Sequence, residues 1–528
     1  MVCSVFARKI LHPVANRGQQ PDVPTNKEHG VVLPKGHTGS SYFHHVLQQA
    51  VAAFPGALSS ARLPADAKTF KREYRDALVR FEAARVASLQ RVQIARLIAT
   101  RTQADLMYAS ESGSLALSDH MAELPETVEL RTISGNGTKP GLTPSVWFEG
   151  RHYVRREIVG LCERWVETHQ MTQAALEAVR FIIELIEERG GTLDLRGESF
   201  AMLGAGAELA PTPLLLKAGA RVLWVDVAEP NERLSPDDLC GELVVADSAR
   251  DILNAPQHVA AALTQFAGST PVHVGMFAYA AGASREWRLG AAMNAIVRRL
   301  PPSLVRSLSM FVSPTMPASV QPEDAAAAIK KLSRAPAWQN VARSLGLLAT
   351  PGQLHRDGAC VANAIVSIQG LSYQAAQYVS KVAAAETYAV YGTRAIDDTT
   401  DPVIVSANVA GITNTRSLAH PLFQAAFVGA RRFGVRIFEP ATTRSLSGLL
   451  VLADLFNPNA PGNPDTLSLR PRDKASALLS QQVHGGIYSL PYELEAAIRV
   501  AAVVGMAQRP KVLWSSPKSP AGTATLDA

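Results

Sequence analysis

The chain has 528 residues, 47% of them hydrophobic, and a formal net charge of +6. This length predicts about two to four domains, and the hydrophobic content is sufficient for substantial cores. The positive charge is small for such a length and is interleaved with acidic residues, which argues against a nucleic-acid-binding protein. No apolar stretch reaches the roughly 18 uncharged residues of a membrane-spanning helix, so we expect a soluble protein.

The four cysteines lie far apart in the sequence. They form neither a C-x-x-C metal pair nor the framework of a disulfide-rich secreted protein, and no metal site is predicted. The simplest interpretation is a reducing compartment, so we expect a cytoplasmic protein with structural thiols. These residues are Cys3, Cys162, Cys240 and Cys360.

The first 40 residues are predicted to be a flexible N-terminus, because they are rich in Pro, Gly and polar residues. Residues 1–21 include basic residues but no acid, so an organelle-targeting segment is the alternative interpretation. Residues 41–194 are predicted to form a helical N-terminal domain, since apolar residues recur there at helical intervals. Its last helix, over Met171–Glu188, ends at two glycines in the manner of a C-cap.

From about residue 195 the pattern changes to apolar runs that alternate with helical segments, which indicates βαβ units and a parallel sheet. We therefore predict an α/β protein whose doubly wound, mainly parallel, Rossmann-like sheet lies within residues 195–440. Residues 318–360 interrupt the alternation as a helical insertion. Residues 441–514 are predicted to be a C-terminal helical extension of mixed character, and 515–528 a flexible tail. The predicted strands are 199–203, 221–226, 242–246, 271–278, 307–313, 402–407 and 434–438.

A candidate nucleotide site follows the first of these strands. Gly204 and Gly206 come directly after the buried run Ser199–Leu203, where glycines allow a sharp turn and close approach of the backbone to a phosphate. A helix over Pro211–Gly219 would direct its free N–H groups toward that phosphate. Asp226 closes the next strand, where an acid accepts hydrogen bonds from a ribose diol. This pattern predicts a site for NAD or S-adenosylmethionine.

Two residues of this turn depart from the G-x-G-x-x-G pattern. Leu209 stands at the third glycine position, and Glu208 brings a negative charge close to the expected pyrophosphate. The alternative interpretation is an inherited α/β scaffold whose phosphate site has decayed, since a fold alone does not establish a function.

Later segments resemble the short-chain dehydrogenase/reductase superfamily in type and order, over about residues 195–420. Val244–Asp247 resembles the third strand and its acid, Tyr279–Gly282 the Asn-Asn-Ala-Gly end of the fourth, and Leu308–Ser313 the fifth. Val403–Leu418 resembles the sixth strand and the loop that receives the nicotinamide, although Ala410 replaces the usual proline. The resemblance implies cofactor contacts, for NAD or NADP, from Gly204, Gly206, Asp226, Asp247, Gly282, Asn408, Thr413 and Thr415.

The family also places a tyrosine four residues before a lysine on one helix. The tyrosine donates the proton, and the lysine lowers the pKa of the tyrosine and holds the ribose. Here Gln377 occupies the tyrosine position relative to Lys381, and the nearest tyrosines are Tyr378 and Tyr373. The resemblance therefore implies either tyrosine as the proton donor, with Ser313 or Ser367 orienting the carbonyl. In the alternative interpretation the tyrosines pack the helix against the sheet and Lys381 is solvated.

Three functions follow from these patterns. The first is an NAD(P)-dependent oxidoreductase that acts on a carbonyl or alcohol. The second is an S-adenosylmethionine-dependent methyltransferase, although Met202 stands where that class usually has an acid. The third is a non-catalytic nucleotide-binding or protein-interaction module. We expect a small-molecule substrate, and a homo-oligomer is one possible assembly.

Overall fold

A seven-stranded, mainly parallel sheet organises the chain. The computed structural model describes residues 29–280, 282, 284–394, 402–468 and 478–509. Within these residues the protein is of the α/β class, as the sequence predicts, with helices on both faces of the sheet. None of the helices in these ranges is long and apolar enough to cross a membrane.

The first part of the chain is mainly helical but also contains short strands. The helix over Ala67–Ala87 starts at a defined cap, because the carboxylate of Asp66 accepts a hydrogen bond from the backbone N–H of Thr69 at 2.8 Å. The elements are β1 (Gly30–Val32), α1 (Gly39–Ala53), α2 (Pro55–Leu58), α3 (Ala67–Ala87), α4 (Arg91–Asp105), β2 (Met107–Ser110), β3 (Gly113–Ala116), α5 (Leu117–His120), β4 (Arg131–Ile133), β5 (Ser145–Phe148), β6 (Arg151–Val154), α6 (Arg156–Glu167) and α7 (Gln173–Glu188).

The second part alternates strands with helices. Two of these helices, Gly370–Gln377 and Ala384–Tyr391, are joined by a π-helical turn, Tyr378–Ala383. The elements are β7 (Ser199–Leu203), α8 (Thr212–Lys217), β8 (Arg221–Val225), β9 (Glu242–Val245), α9 (Pro256–Ala267), β10 (Val272–Met276), α10 (Arg285–Arg299), β11 (Val305–Val312), α11 (Pro322–Ser333), α12 (Ala337–Ser344), β12 (Gln353–Arg356), β13 (Ala359–Ala362), α13 (Gly370–Gln377), α14 (Ala384–Tyr391) and β14 (Ile404–Val409).

The last part is helical: α15 (Pro421–Ala430), α16 (Pro440–Phe456), α17 (Pro464–Ser468) and α18 (Leu494–Gln508). Helices α15 and α18 approach closely through small residues. A Cβ atom added to Gly429 would come 1.9 Å from the carbonyl oxygen of Ala501, and one added to Gly505 would come 1.8 Å from that of Ala425. Larger side chains at these two glycines would therefore separate the helices.

The strand order in the sheet is β14-β11-β10-β7-β8-β9-β4. The first six of these strands are parallel to one another, and β4 pairs antiparallel with β9 at the edge. The central strand β7 pairs with β10 on one side and β8 on the other, so the order reverses there. Where the strand order reverses, the chain connections lead away to opposite sides and leave a crevice at the carboxyl ends of the strands. In open α/β sheets, ligands bind in this crevice.

Successive side chains of each strand point to opposite faces of the sheet and so contribute to two separate cores. In β7, Ala201 and Leu203 belong to the core that includes α1, α3, α4, α9, α10, α13 and α14. Phe200 and Met202 belong to the core on the other face, with α6, α7 and α16. Because both faces are covered, the parallel strands are mainly apolar rather than alternating in polarity, although polar residues such as His273, Ser307 and Asn408 are also buried in them. The N-terminal helices thus share their core with the sheet.

Several segments differ from the predicted elements. The predicted flexible N-terminus contains the buried strand β1, and the predicted helical domain contains the antiparallel pairs β2–β3 and β5–β6. Arg131–Ile133, inside the predicted helical domain, forms the antiparallel edge strand of the sheet. The predicted strand 434–438 has no strand partner beyond one bridge, between Phe438 and Thr413, and Gly434 there is left-handed with φ +74°. The insertion contains the two expected helices, α11 and α12, and also the hairpin β12–β13.

Candidate functional site

The turn after β7 requires its first glycine. Gly204 has a φ of +86°, and a Cβ atom there would come 2.2 Å from the backbone nitrogen of Ala278. Both the left-handed conformation and the contact with the chain leaving β10 exclude other residues. The turn and the end of β10 therefore meet at the point where the strand order reverses.

The carboxylate of Asp226, at the end of β8, holds the second glycine of the turn. One oxygen accepts the backbone N–H of Gly206 at 3.0 Å, and the other accepts that of Ala228 at 2.9 Å. Each carboxylate oxygen can accept a further hydrogen bond, so the group retains acceptor capacity for a hydroxyl. Arg233 also lies here, since its Cγ would be 3.3 Å from a Cβ at Gly206.

The helix after the turn begins within one residue of its predicted start at Pro211. Helix α8 begins at Thr212, whose hydroxyl donates to the carbonyl of Ala205 at 2.8 Å. Between the turn and the helix, the carboxylate of Glu208 accepts the backbone N–H of Arg416 at 3.3 Å. The glycine turn is thereby connected to the loop that follows β14, and the N-terminus of α8 is displaced from Gly206.

Ser313, Tyr373 and Lys381 lie together at the carboxyl end of β11. The hydroxyl of Tyr373 hydrogen-bonds with those of Ser313 and Thr315, and the latter two are 2.9 Å apart. The ammonium of Lys381 donates to the carbonyl of Phe311, in the same strand, at 3.0 Å. The side chains of Ser313, Tyr373 and Lys381 are each only partly buried.

The π-helical turn Tyr378–Ala383 explains how Tyr373 and Lys381, which are eight residues apart, lie on one side of the helix. Tyr373 and Gln377 are one α-helical turn apart, and the π-helical turn lies between Gln377 and the next member, Lys381. In a π-helix each residue advances by a smaller angle about the helix axis than in an α-helix. A step of four residues slightly exceeds one α-helical turn and falls slightly short of one π-helical turn, so the two deviations offset each other. Such turns occur frequently at functional sites.

The buried side chains of Gln377 and Glu286 lie beside Ser313 and Lys381. The side-chain oxygen of Gln377 accepts the backbone N–H of Ser313 at 3.1 Å, and its nitrogen is 3.5 Å from Glu286 Oε1. Burial raises the pKa of Glu286 to about 7, against the opposing charge of Lys381. Burial also lowers the pKa of Lys381, and the Glu286 carboxylate partly offsets this. The carboxylate of Glu286 and the ammonium of Lys381 are thus electrostatically coupled.

Burial raises the pKa of Tyr373, and its hydrogen bonds with Ser313 and Thr315 oppose that rise. Tyr279, which follows the contact between Ala278 and Gly204, is 50% exposed and interacts electrostatically with Tyr373 and Glu286. Its hydroxyl hydrogen-bonds with Ser417 in the loop after β14. The glycine turn, the end of β10, the end of β11 and this loop therefore surround one site.

Two other predicted catalytic residues lie elsewhere. Tyr378 is 2% exposed and points away from Lys381: its hydroxyl donates to Glu82 at 2.5 Å and accepts a hydrogen bond from Arg85 at 3.1 Å. Ser367 donates through its hydroxyl to Glu495 at 2.9 Å, on α18. The structure thus brings Tyr373 and Ser313 to Lys381, but not Tyr378 or Ser367.

Several predicted cofactor residues have structural partners instead. Asp247 forms an exposed ion pair with Arg131 at 3.3 Å, on the edge strand. Thr413 is buried against Thr443, with 2.7 Å between the hydroxyls, whereas Thr415 is only partly buried and lies beside Ser417. Gly282 has a φ of +108°, which suits glycine. Asn408 is buried and donates to Asp454 at 3.0 Å.

Asp454 gives a testable pH dependence. Its fully buried carboxylate accepts hydrogen bonds from Ser406, Asn408 and Gln481. Burial raises the pKa to about 6, from 3.8, despite these bonds. A raised carboxyl pKa contributes stability that is present below about pH 4 and is lost as the pH rises through 6. The shift corresponds to about 3 kcal/mol at neutral pH.

We expect Asp454→Asn to be more stable than the wild type at pH 8, by about 1–3 kcal/mol, and nearly equal at about pH 3.5, below the pKa of the carboxyl in both the unfolded and the folded state. The Gln481 amide can turn to present its oxygen, which has no partner among the described residues, to the new NH₂ group. Urea unfolding at both pH values measures the difference, and the exposed Asp247→Asn serves as the control. An unchanged pH dependence in Asp454→Asn would show that this carboxyl does not titrate there.

No protein-family model matches the sequence, and no curated protein is significantly similar to it. Within the described ranges, no group of three or more His, Cys, Asp or Glu side chains is arranged to hold a metal ion. The interpretation of the site therefore depends on the chemistry of its own residues.

Sequence reasoning did not identify the buried groups of this site. Glu286 lies in a charged run that is typical of a solvated first helical turn, and Gln377 attracts notice only as a departure from a family pattern. Thr315 and Tyr279 lie in loops after strands. The one available signal is that both loops follow predicted strand ends, where ligands bind in parallel sheets.

Proposed function

We propose that the protein is an NAD(P)-dependent oxidoreductase that acts on a carbonyl or alcohol. The observation that carries this proposal is the grouping of Ser313, Tyr373 and Lys381 at the end of β11, next to the chain that contacts the glycine turn. A hydroxyl, a phenol and an amine in one partly open cluster supply a proton and a hydrogen bond to a substrate oxygen.

The strand order supports a Rossmann-like, doubly wound arrangement. Taken in chain order, the six parallel strands run 6-5-4-1-2-3 across the sheet. This is the order of dinucleotide-binding sheets, read from the other edge. The glycine turn follows strand 1, at the reversal between strands 1 and 4, where the cofactor binds in such sheets.

The residues around the glycine turn fit a dinucleotide. Glycines after the first strand, as Gly204 and Gly206 are here, let the backbone of such a turn approach a pyrophosphate. Asp226 has acceptor capacity for the hydroxyls of the adenosine ribose. Arg233 beside Asp226 is a residue of the kind that pairs with a 2′-phosphate, so NADP is the alternative to NAD. When bound, the nicotinamide supplies or accepts the hydride.

The residues of the cluster then have separate tasks. In the reducing direction the Tyr373 hydroxyl donates its proton to the carbonyl oxygen, and Ser313 donates a hydrogen bond to the same atom. The hydrogen bonds with Ser313 and Thr315 lower the pKa of Tyr373 from the value that burial imposes. The ammonium of Lys381, two turns further along the helix, stabilises the phenolate that remains. Gln377 holds the backbone of Ser313 and approaches Glu286, so it positions the cluster from behind.

One observation favours the second candidate, a non-catalytic nucleotide-binding module. Glu208 places a carboxylate near the glycine turn, and α8 begins six residues after Gly206. Both features weaken the attraction of the turn for a pyrophosphate, because they add a negative charge and remove the helix N-terminus. Binding without turnover is the result that this candidate predicts.

Calorimetric titration with NAD, NADP and S-adenosylmethionine tests the proposal first. We expect a nicotinamide cofactor to bind, and Asp226→Ala to weaken binding about tenfold or more, because two ribose hydrogen bonds are lost. The matched control is Asp247→Ala, whose carboxylate lies in an exposed ion pair on the edge strand. Preferential binding of S-adenosylmethionine would indicate a methyltransferase instead.

A panel of aldehydes and ketones, followed by cofactor absorbance, tests catalysis. Lys381→Ala is expected to abolish measurable hydride transfer while the chain stays folded by circular dichroism. Cofactor binding with no turnover on the panel would favour the non-catalytic module. Failure to bind any nicotinamide cofactor would overturn the oxidoreductase proposal.

A further inference from the structure

Glu286 is a buried carboxylate in the first turn of α10, where it is 7% exposed. Its oxygen Oε1 lies 3.5 Å from the side-chain nitrogen of Gln377. The other oxygen, Oε2, is buried and has no hydrogen-bond partner among the described residues. A buried carboxylate with one unsatisfied oxygen lowers the stability of a fold, so its presence beside the candidate site calls for an explanation.

Glu286 acts on two side chains that bind the backbone at the end of β11. Gln377, which approaches Oε1, accepts the backbone N–H of Ser313 at 3.1 Å. Lys381, four residues after Gln377, donates to the carbonyl of Phe311 at 3.0 Å. The charges of Glu286 and Lys381 act on each other. One carboxylate is therefore connected to both of the side chains that hold this strand end.

Three titratable groups from other elements interact electrostatically with Glu286. Lys381 lies in the π-helical turn, Tyr373 lies on α13, and Tyr279 lies in the segment after β10. The backbone N–H of Ala280, next to Tyr279, favours the ionised carboxyl. The positive charge that faces Glu286 thus comes from Lys381, whereas the two tyrosines are neutral at neutral pH.

We propose that Glu286 is a positioning residue that extends the activity of the candidate site to alkaline pH, by fixing Gln377 against Ser313 and by keeping the charge on Lys381. This inference rests on the proposed function. Burial lowers the pKa of Lys381, and the Glu286 carboxylate raises it again. Burial raises the pKa of Glu286 to about 7, so this support is present above that pH and is lost below it, as the carboxyl takes up a proton.

The pH dependence of turnover in Glu286→Gln tests the inference. The amide has the size of the carboxyl and removes only its charge, so circular dichroism should show a folded chain. We expect turnover close to that of the wild type at about pH 6 and about tenfold lower at about pH 9, because the Lys381 ammonium is lost at lower pH. A purely structural defect would instead lower turnover by the same factor at every pH.

The charge of Lys381 can also be followed without turnover. In protein with lysine isotopically labelled at Cε, carbon NMR identifies the Lys381 resonance by its loss in Lys381→Met. We expect this resonance to titrate at lower pH in Glu286→Gln than in the wild type, by about one pH unit. The matched control is Glu495→Gln, which is also 7% exposed but lies on α18, where it accepts hydrogen bonds from Ser367. Neither the titration nor the pH profile should change in the control.

The inference is overturned if Lys381 titrates at the same pH in the wild type and in folded Glu286→Gln, or if Glu495→Gln shifts the titration equally. If Glu286→Gln does not fold, Glu286→Ala removes the same charge without burying a polar group and should shift the titration in the same direction. A wild type that binds no nicotinamide cofactor and reduces no carbonyl would refute the proposed function instead. The NMR titration would still decide whether Glu286 maintains the charge of Lys381.

Discussion

Replacing Tyr373 with phenylalanine is expected to lower the turnover of a carbonyl substrate by about 10²–10⁴-fold. The substitution removes the hydroxyl that hydrogen-bonds with Ser313 and Thr315 and leaves the ring in place. Without this donor, the developing alkoxide must take its proton from water. Steady-state kinetics at saturating cofactor measures the effect, and cofactor affinity by calorimetry should change little.

Tyr378→Phe provides the matched control on the same helix. Its hydroxyl faces Glu82 and Arg85 rather than Lys381, so this variant should retain turnover and lose about 1–3 kcal/mol of stability. The two tyrosines thus separate a chemical effect from a structural one. Equal losses of turnover in both variants, or full turnover in Tyr373→Phe, would refute the assignment of Tyr373 as the proton donor.

Replacing Arg85 with alanine is expected to destabilise the protein by about 3–5 kcal/mol. Arg85 is 1% exposed and lies between two buried carboxylates, with bonds to Glu82 at 2.7 and 2.8 Å and a paired contact with Glu386. Burial alone would raise the pKa of Glu386, but Arg85 and Arg91 hold it below its ordinary value. Removing Arg85 leaves buried negative charge that the remaining Arg91 only partly neutralises.

The control for this variant is Arg72→Ala, on the same helix. Arg72 pairs with Glu73 at 2.9 Å, but its side chain is 72% exposed, so the expected change in stability is below about 1 kcal/mol. Urea unfolding measures both variants, and the loss in Arg85→Ala should shrink as acid protonates the carboxylates. A loss as small as that of Arg72→Ala would contradict a structural role for the buried network.

The buried network connects the N-terminal helices to the helix that carries the candidate catalytic residues. Glu82 and Arg85 belong to α3, whereas Tyr378 and Glu386 belong to the segment that follows Tyr373 and includes Lys381. The N-terminal region therefore supports one side of this helix while the other side faces the site. Replacing Arg85 with alanine should consequently disturb the candidate site as well as lower the stability of the fold.

The sequence by itself determined the α/β class and the main strands. Runs such as Ser199–Leu203 and Arg221–Val225 are buried on both faces, so they are nearly continuous apolar segments that stand out in the sequence. It also identified Gly204, Gly206 and Asp226, because a turn with a positive φ and an acid at a strand end leave local signals. The edge strand Arg131–Ile133 left none, since its pairing with β9 is set by residues more than a hundred positions later.

Only the tertiary structure decided which polar residues meet. Tyr373 and Tyr378 are equivalent by spacing, yet the π-helical turn and the contacts of α3 direct one to Ser313 and the other to Glu82. Glu286 becomes part of the site because α10 starts beside Gln377 and Lys381. Helical periodicity reports the side on which a residue lies but not what covers that side, and the covering elements come from distant parts of the chain.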